Sequence, residues 1–267
     1  MGGTPSKEIS FFIPNHDDSQ ELLAQAELND NYRFKCKLSV PNVIARAGQA
    51  YIPSSRGANA HARPAPSSMP AWLARGLPSS IPIIMMDATA DGGMPHTRPH
   101  VICLSESTRG KVDNKTLLHE LIHLHQRQPS NIVKWYAVYK DAFDMEPWFG
   151  ELPDELEKQR RVNPDTITCP NWIWKGRWVP VPVYLNKYNP VLNEIRIYFY
   201  DVRESKWQSY PPIEWVNYFG MMDDSLYEHP HEMTAYWLSD ESRSPSRGSP
   251  VHANFNNAMK TWFIENK

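Results

Sequence analysis

The chain has 267 residues, enough for one large domain or two small ones with a sizeable buried core. Hydrophobic residues make up 41% of it and charged residues 22%, which is ordinary for a globular protein. The formal net charge is −2, so no chain-wide positive field favours a nucleic acid or an anionic membrane, and we expect neither as a partner.

Cysteine usage and the N-terminal residues bear on the compartment. The cysteines are odd in number and widely spaced, which argues against a disulfide framework and for a reducing compartment. The first residues lack the apolar core of a signal peptide, and no apolar run of about 18 residues is present to span a membrane. We therefore predict a cytoplasmic protein. The three cysteines are Cys36, Cys103 and Cys169.

The N-terminal part mixes polar, helical and Pro-rich stretches. Residues 1–20 are polar, and we expect them to be loose. Ser19–Asn29 predicts a short helix with Ser19 as its N-cap. Tyr32–Val40 alternates apolar and basic residues, which predicts a half-exposed strand. Residues 53–80 are rich in Pro, Ser, Ala and Arg, which indicates an extended surface loop or, alternatively, a basic lid over a cleft.

Two short apolar runs then predict strands. Ile81–Met86 is apolar throughout, and Val101–Leu104 is rich in β-branched residues, as a central or edge strand would be. His96 and His100 lie just upstream of the second run. Each is either a surface-loop histidine or a residue that approaches a cleft beside this strand.

Residues 113–130 carry the motif H-E-x-x-H, formed by His119, Glu120 and His123. Asp113 or Asn114 can cap a helix here, and nothing breaks it before Pro129. On a helix, residues four apart share a face, so the two histidines can bind one metal ion while Glu120 takes a proton from its water. The alternative is a core helix with two hydrogen-bonded histidines, but that gives no reason for a costly carboxylate on an apolar helix.

The remainder of the chain predicts further helices and a β-rich insertion. Asn131–Met145 reads as a second amphipathic helix and Pro153–Arg161 as a short charged one. Residues 165–212 alternate or cluster strand-forming residues around Lys175-Gly176, which resembles a hairpin turn. We expect the Trp and Tyr side chains of this insertion to form core and cleft wall.

A catalytic zinc site needs a third protein ligand. Leu226–Asp240 is the best source, because Pro230 suits the first position of a helix and places Glu232 in its first turn. Glu228, His229 and His231 are rival ligands from the same stretch.

These motifs resemble the gluzincin branch of the zincin metallopeptidases. The resemblance lies in HELIHLHQ at 119–126 and in HPHEMTAY at 229–236, which is similar to an N-P-x-E-x-x-A motif with His229 in place of Asn. Gln126 matches the H-E-x-x-H-x-x-Q variant, and it also excludes the metzincin pattern. The resemblance implies His119, His123 and Glu232 as Zn²⁺ ligands and Glu120 as general base. It also implies an α+β, zincin-like fold, with a small sheet beside an active-site helix and a glutamate-bearing helix.

The resulting prediction is a zinc-dependent metallopeptidase that acts on a peptide or protein substrate. We expect residues 81–267 to form the metallopeptidase domain, and residues 1–80 to pack on it or cover it. His231 or Tyr227 is the expected donor to the oxyanion, among further candidates that include His229, Tyr184 and Tyr236. Two alternatives stay open: a zincin-fold scaffold or interaction protein without activity, and a non-haem iron oxygenase, since two histidines and a carboxylate also form a facial triad.

Overall fold

Helices and short strands alternate along this computed structural model, which describes residues 7–56, 63–220 and 223–265. The architecture is α+β, as predicted. The helices are α1 (His16–Asp30), α2 (Tyr32–Lys35), α3 (Val40–Ala45), α4 (Ala71–Arg75), α5 (Asn114–Arg127), α6 (Pro129–Phe143), α7 (Asp154–Glu157), α8 (Ile213–Phe219), α9 (Asp224–Tyr227), α10 (Pro230–Ser239) and α11 (Pro250–Met259), which continues as a π-helix over Lys260–Ile264. The strands are β1 (Ser10–Phe12), β2 (Arg63–Pro64), β3 (Ser80–Met86), β4 (His96–Arg98), β5 (Val101–Ser105), β6 (Met145–Pro147), β7 (Trp172–Trp174), β8 (Trp178–Tyr184), β9 (Ile195–Asp201) and β10 (Lys206–Gln208).

The described chain divides into two compact units, each built from two stretches of sequence. One unit holds the residues up to Asn31 and those from Gly48 to Ile132. The other holds Tyr32–Ala47 and the residues from Val133 onward. The division at residue 80 that the sequence suggests stays a prediction.

The first unit is built on a mixed sheet with the strand order β2-β1-β3-β5-β4. The strands β1, β3 and β5 are parallel, whereas β2 and β4 run antiparallel at the two edges. Buried side chains of β3 and β5 pack with Leu23 of α1, and α5 packs against β4 and β5. The two predicted strands, near 81–86 and 101–104, are thus confirmed. Because β5 is paired on both sides, an extended ligand could add only to an edge strand such as β4.

A buried charge cluster joins α1 to β4 in this unit. Arg98 is fully buried, and its guanidinium donates to both carboxylate oxygens of Asp30 at 2.7 and 2.6 Å. It also donates to Glu27 at 2.8 Å and to the Tyr51 hydroxyl at 2.9 Å. Burial opposes the charge of Arg98, but the hydrogen bonds and charge of Asp30, together with Tyr51, raise its pKa above the usual value. Arg98 therefore stays charged, and its hydrogen bonds fix α1 against the edge of the sheet.

The second unit is built on an antiparallel sheet in the order β10-β9-β8-β7-β6. The predicted hairpin turn is confirmed, because residues 175–177 connect β7 to β8, and Lys175 and Gly176 have φ of 50° and 58°. These left-handed values suit a type I′ turn. Many aromatic residues of the sheet and the neighbouring helices lie in the core, as expected, and Trp172, Trp174 and Trp215 are almost fully buried. Tyr188, Trp207 and Tyr210 of the same segment are exposed instead, and the expected cleft wall stays a prediction.

The predicted strand at Tyr32–Val40 is wrong, since residues 32–35 form the helix α2. The buried residues are Tyr32, Cys36 and Ser39, which follow helical spacing, whereas Phe34 and Leu38 are 58% and 60% exposed. The alternation of apolar and basic residues therefore does not mark an inner and an outer face of a strand.

The predicted helix at 19–29 is confirmed but starts earlier, at His16, where the side chain of Asn15 accepts from the amide of Asp18. Ser19, the predicted cap, is buried inside the helix instead. Of the predicted loop at 53–80, residues 57–62 lie outside the described residues, as do 1–6 of the predicted loose N-terminus. From residue 63 on the loop contains β2 and α4.

The three cysteines are buried, and none of them forms a disulfide. Among the described residues, no helix is long and apolar enough to cross a membrane.

The close approach of Gly76 to α5 generates a first prediction. A Cβ atom at this glycine would lie 2.2 Å from Nε2 of His125 and 2.5 Å from the amide nitrogen of Asn131. We expect Gly76→Ala to destabilise the protein by about 1–3 kcal/mol in urea denaturation, because both buried side chains must move. The control is Gly248→Ala, where a Cβ meets no described atom within 4 Å and stability should stay unchanged. Equal stability of the two variants would contradict the tight packing at residue 76.

Candidate functional site

The H-E-x-x-H motif lies on α5, a helix whose formation follows from its sequence. Asp113 caps it by accepting from the amide of Thr116 at 2.7 Å, and its apolar residues face the core. His119 and His123 lie one turn apart on the same face. Their Nε2 atoms are 2.9 Å from each other, and the two rings are nearly perpendicular at 81°. The structure therefore brings these two predicted ligands together.

Gln126 fixes the orientation of His123. Its side-chain Oε1 lies 2.8 Å from Nδ1 of His123, which is fully buried. Because a carbonyl oxygen only accepts, the ring carries its proton on Nδ1 and presents the lone pair of Nε2 toward His119. A partner of this kind on the far nitrogen is what orients a metal-binding imidazole.

The opposed Nε2 atoms fit a shared cation. Two lone pairs at this separation repel each other unless a proton or a metal ion lies between them. Two imidazole nitrogens on one tetrahedral zinc ion are ~3.3 Å apart when the Zn–N bonds are ~2.0–2.1 Å. The observed 2.9 Å is close to that separation, so a small opening of the pair would admit the ion.

Glu120 is buried on the same helix, with 3% of its surface exposed, whereas His119 is half-buried. Burying a carboxylate costs several kcal/mol unless it is paired or used. His125 lies on another face of α5, where its ring packs edge-on against Trp72 at 5.3 Å. Of the three histidines of α5, only His119 and His123 therefore face each other.

Glu232 belongs to the second unit, in the first turn of α10, as predicted. Pro230 begins this helix, and the ring of His229 caps it by accepting from the amide of His231 at 3.0 Å. A histidine can thus do here what an Asn cap does. Glu232 is 5% exposed, and its Oε1 accepts from the side-chain amide of Asn163 at 3.0 Å.

Two rival ligands, Glu228 and His229, are occupied by other contacts in this unit. The carboxylate of Glu228 accepts from Arg161 at 2.9 and 3.2 Å and from Asn163 at 3.0 Å. Burial raises the pKa of Glu228 above its usual value, and Arg161 opposes that shift. His229 uses Nδ1 for the helix cap and Nε2 to donate to the carbonyl of Cys169 at 2.7 Å.

The predicted oxyanion donors lie near the start of α10. The Tyr227 hydroxyl donates to the carbonyl of Gly220 at 2.8 Å, and the residue is 1% exposed. The hydroxyl would therefore have to break this hydrogen bond before it could donate to a substrate. His231 is buried beside His229, with ring centroids 4.5 Å apart. The roles of both residues as oxyanion donors stay predictions.

His96 and His100 have different environments. His96 is buried in β4, where Nδ1 donates to the carbonyl of Met94 at 3.0 Å and Nε2 accepts from the Tyr51 hydroxyl at 2.9 Å. His100 is exposed, in the turn between β4 and β5, with φ of 68°. Neither His96, whose two nitrogens are both engaged, nor the exposed His100 adds a ligand beside His119 and His123 in the first unit.

No protein-family model, curated protein or solved structure matches this chain. The chemistry of the site is therefore inferred from its own residues.

Two supporting contacts were not predicted from the sequence: that of Gln126, which was noted only as a motif match, and that of Asn163. The spacing of Gln126, three residues after His123, was a usable signal, since such residues are neighbours on a helix. Asn163 carries no local signal for its contact with Glu232, which lies 69 positions further along the chain. Its orientation is fixed because its Oδ1 accepts from the amide of Asp165 at 2.9 Å.

The contact of Gln126 with His123 predicts a metal-affinity effect. If the histidine pair binds zinc, we expect Gln126→Leu to weaken that binding by about 10–100-fold, because Nδ1 of His123 loses its acceptor. Competition with a chromogenic chelator measures the affinity. The control is Gln128→Leu, at the half-buried residue that follows α5 as its C-cap. An unchanged affinity in folded Gln126→Leu would show that this contact does not orient a ligand.

Proposed function

We propose that this protein is a zinc-dependent metallohydrolase that cleaves peptide bonds. The observation that carries the proposal is the pair of Nε2 atoms of His119 and His123, opposed at 2.9 Å, with His123 oriented by Gln126. The adjacent buried carboxylate of Glu120 supports hydrolysis, because a metal-binding histidine pair needs no such neighbour.

We further propose His119, His123 and Glu232 as the ligands of the ion. Two neutral imidazoles and one carboxylate are a typical donor set for catalytic zinc. Glu232 is suited to the role of third ligand because its Oε1 accepts a hydrogen bond from Asn163, which orients the carboxylate. On this proposal the fold is of the zincin type, with α5 beside the mixed sheet and α10 as the glutamate-bearing helix.

Bound zinc would polarise the scissile carbonyl and lower the pKa of a water molecule toward neutrality. Glu120 takes the proton of that water as general base and returns it to the leaving amine as general acid. Its burial suits both tasks, because few competing waters surround the carboxylate. The Nδ1–H of His123 donates to Gln126, which leaves Nε2 as the nitrogen that would bind the ion.

A change at Glu120 separates catalysis from metal binding. We expect Glu120→Gln to keep about one zinc ion per chain, measured by elemental analysis, and to lose peptide hydrolysis by at least ~10³-fold. The amide is isosteric but accepts no proton. Digestion of a peptide library, with and without a chelator, measures the activity.

The outcomes distinguish the candidate functions. A wild-type protein with zinc that cleaves no peptide would indicate a binding or scaffold protein. Iron in place of zinc would favour an oxygenase. Wild-type rates in Glu120→Gln would remove Glu120 from the mechanism.

The choice between Glu232 and its rival Glu228 makes a further prediction. Glu232→Gln should weaken zinc binding by about 100-fold or more, because the third ligand, which is the one anionic ligand of the set, is lost. Glu228→Gln should keep full zinc content but lower the melting temperature, because Arg161 loses its buried carboxylate. The reverse pattern, with zinc lost only in Glu228→Gln, would assign the third ligand to Glu228.

A further inference from the structure

The second unit contains a cavity of about 360 Å³ beside the glutamate-bearing helix. This volume falls within the ~300–1,000 Å³ of small-ligand sites. Its wall includes Lys35 and Asn42 from the stretch 32–47, Arg160 and Arg161 from the segment after α7, and Glu228. Residues far apart in sequence thus form one pocket.

The wall of this cavity carries more positive than negative side chains. Arg160 pairs with Glu157 at 2.7 Å, and Arg161 pairs with Glu228 at 2.9 Å. Lys35 is half-buried and makes no ion pair within the described residues; its ammonium lies 3.5 Å from the carbonyl of Ile167. Three cations therefore face two carboxylates, which leaves one positive charge at the ammonium of Lys35. A partly buried, uncompensated charge attracts a single anionic group.

The cavity also adjoins the proposed zinc ligand. Asn163 lines it and donates to Oε1 of Glu232 at 3.0 Å, so one side chain connects the cavity wall to that carboxylate. The lining also includes two exposed apolar side chains, Phe149 and Leu38. A group that enters the cavity thus meets apolar surface as well as the free charge.

We propose that this cavity is a specificity subsite that takes an acidic side chain of the peptide substrate, whose carboxylate pairs with Lys35. The role of the cavity in substrate choice rests on the proposed function, whereas the binding of a carboxylate in the cavity does not. A carboxylate fits better than a phosphate dianion, because only one positive charge is uncompensated. The two guanidinium groups that could hold a phosphate are already paired with carboxylates.

The first experiment uses zinc-loaded full-length protein and peptide pairs that differ only by Glu or its neutral isostere Gln at one position. We expect one position, counted from the cleaved bond, at which the Glu peptide has a kcat/KM about 10-fold higher than that of the Gln peptide. Lys35→Met should remove the preference, while the Gln peptide is still cleaved at the wild-type rate. Lys35→Glu should shift the preference toward Lys at that position. The control is Lys37→Met, at an exposed lysine outside the cavity wall.

The second experiment does not depend on catalysis. Calorimetric titration with N-acetylglutamate amide and N-acetylglutamine amide compares their binding to wild type, Lys35→Met and Lys37→Met. Tighter binding of the glutamate, lost only in Lys35→Met, supports the cavity as a carboxylate site even when no peptide is cleaved. Cleavage without a Glu preference, or a preference that survives in Lys35→Met, overturns the proposal but leaves the hydrolase intact. Equal binding of the two amides also overturns it.

Discussion

The site depends on the opposition of two imidazole nitrogens across one turn of α5. At 2.9 Å, the Nε2 atoms of His119 and His123 need a proton or a cation between them. Gln126 accepts a hydrogen bond from Nδ1 of His123, so the proton of this ring is on Nδ1 and its Nε2 can only act as an acceptor. Both histidines lie on the same face of one helix, so the backbone holds their Nε2 atoms close together, and only a small opening of the pair is needed to admit an ion. This local constraint is the physical basis for proposing a metal ion.

Each unit also holds a buried ionic network that limits the movement of its elements. In the first unit Arg98 ties α1 to the edge strand β4 through Asp30. In the second unit Arg161 neutralises Glu228, and Asn163 bridges Glu228 to Glu232. A buried charge that loses its partner is costly, so these networks favour a single arrangement. On the proposed function, the second network would hold a metal ligand in place before the ion binds.

The hydrogen bonds around Asn163 and Arg161 give Glu228 and Glu232 different roles. Glu228 and Glu232 lie on the same short stretch and share one amide donor. Glu228 is neutralised by an arginine, which leaves it little capacity to serve a metal ion as well. Asn163 and Arg161 also line the cavity around Lys35, so changes there would couple substrate preference to the geometry of Glu232.

Local signals in the sequence correctly predicted α5, whose cap is Asp113 of the two candidates Asp113 and Asn114, the strands near 81–86 and 101–104, and α10 from Pro230. They failed at Tyr32–Val40, where burial follows helical spacing and overrides the alternation. The approach of the two histidines was predictable because residues four positions apart on a helix always lie on the same face, one turn from each other. The contact between Asn163 and Glu232 and the cavity around Lys35 join distant residues, so only the tertiary structure decided them.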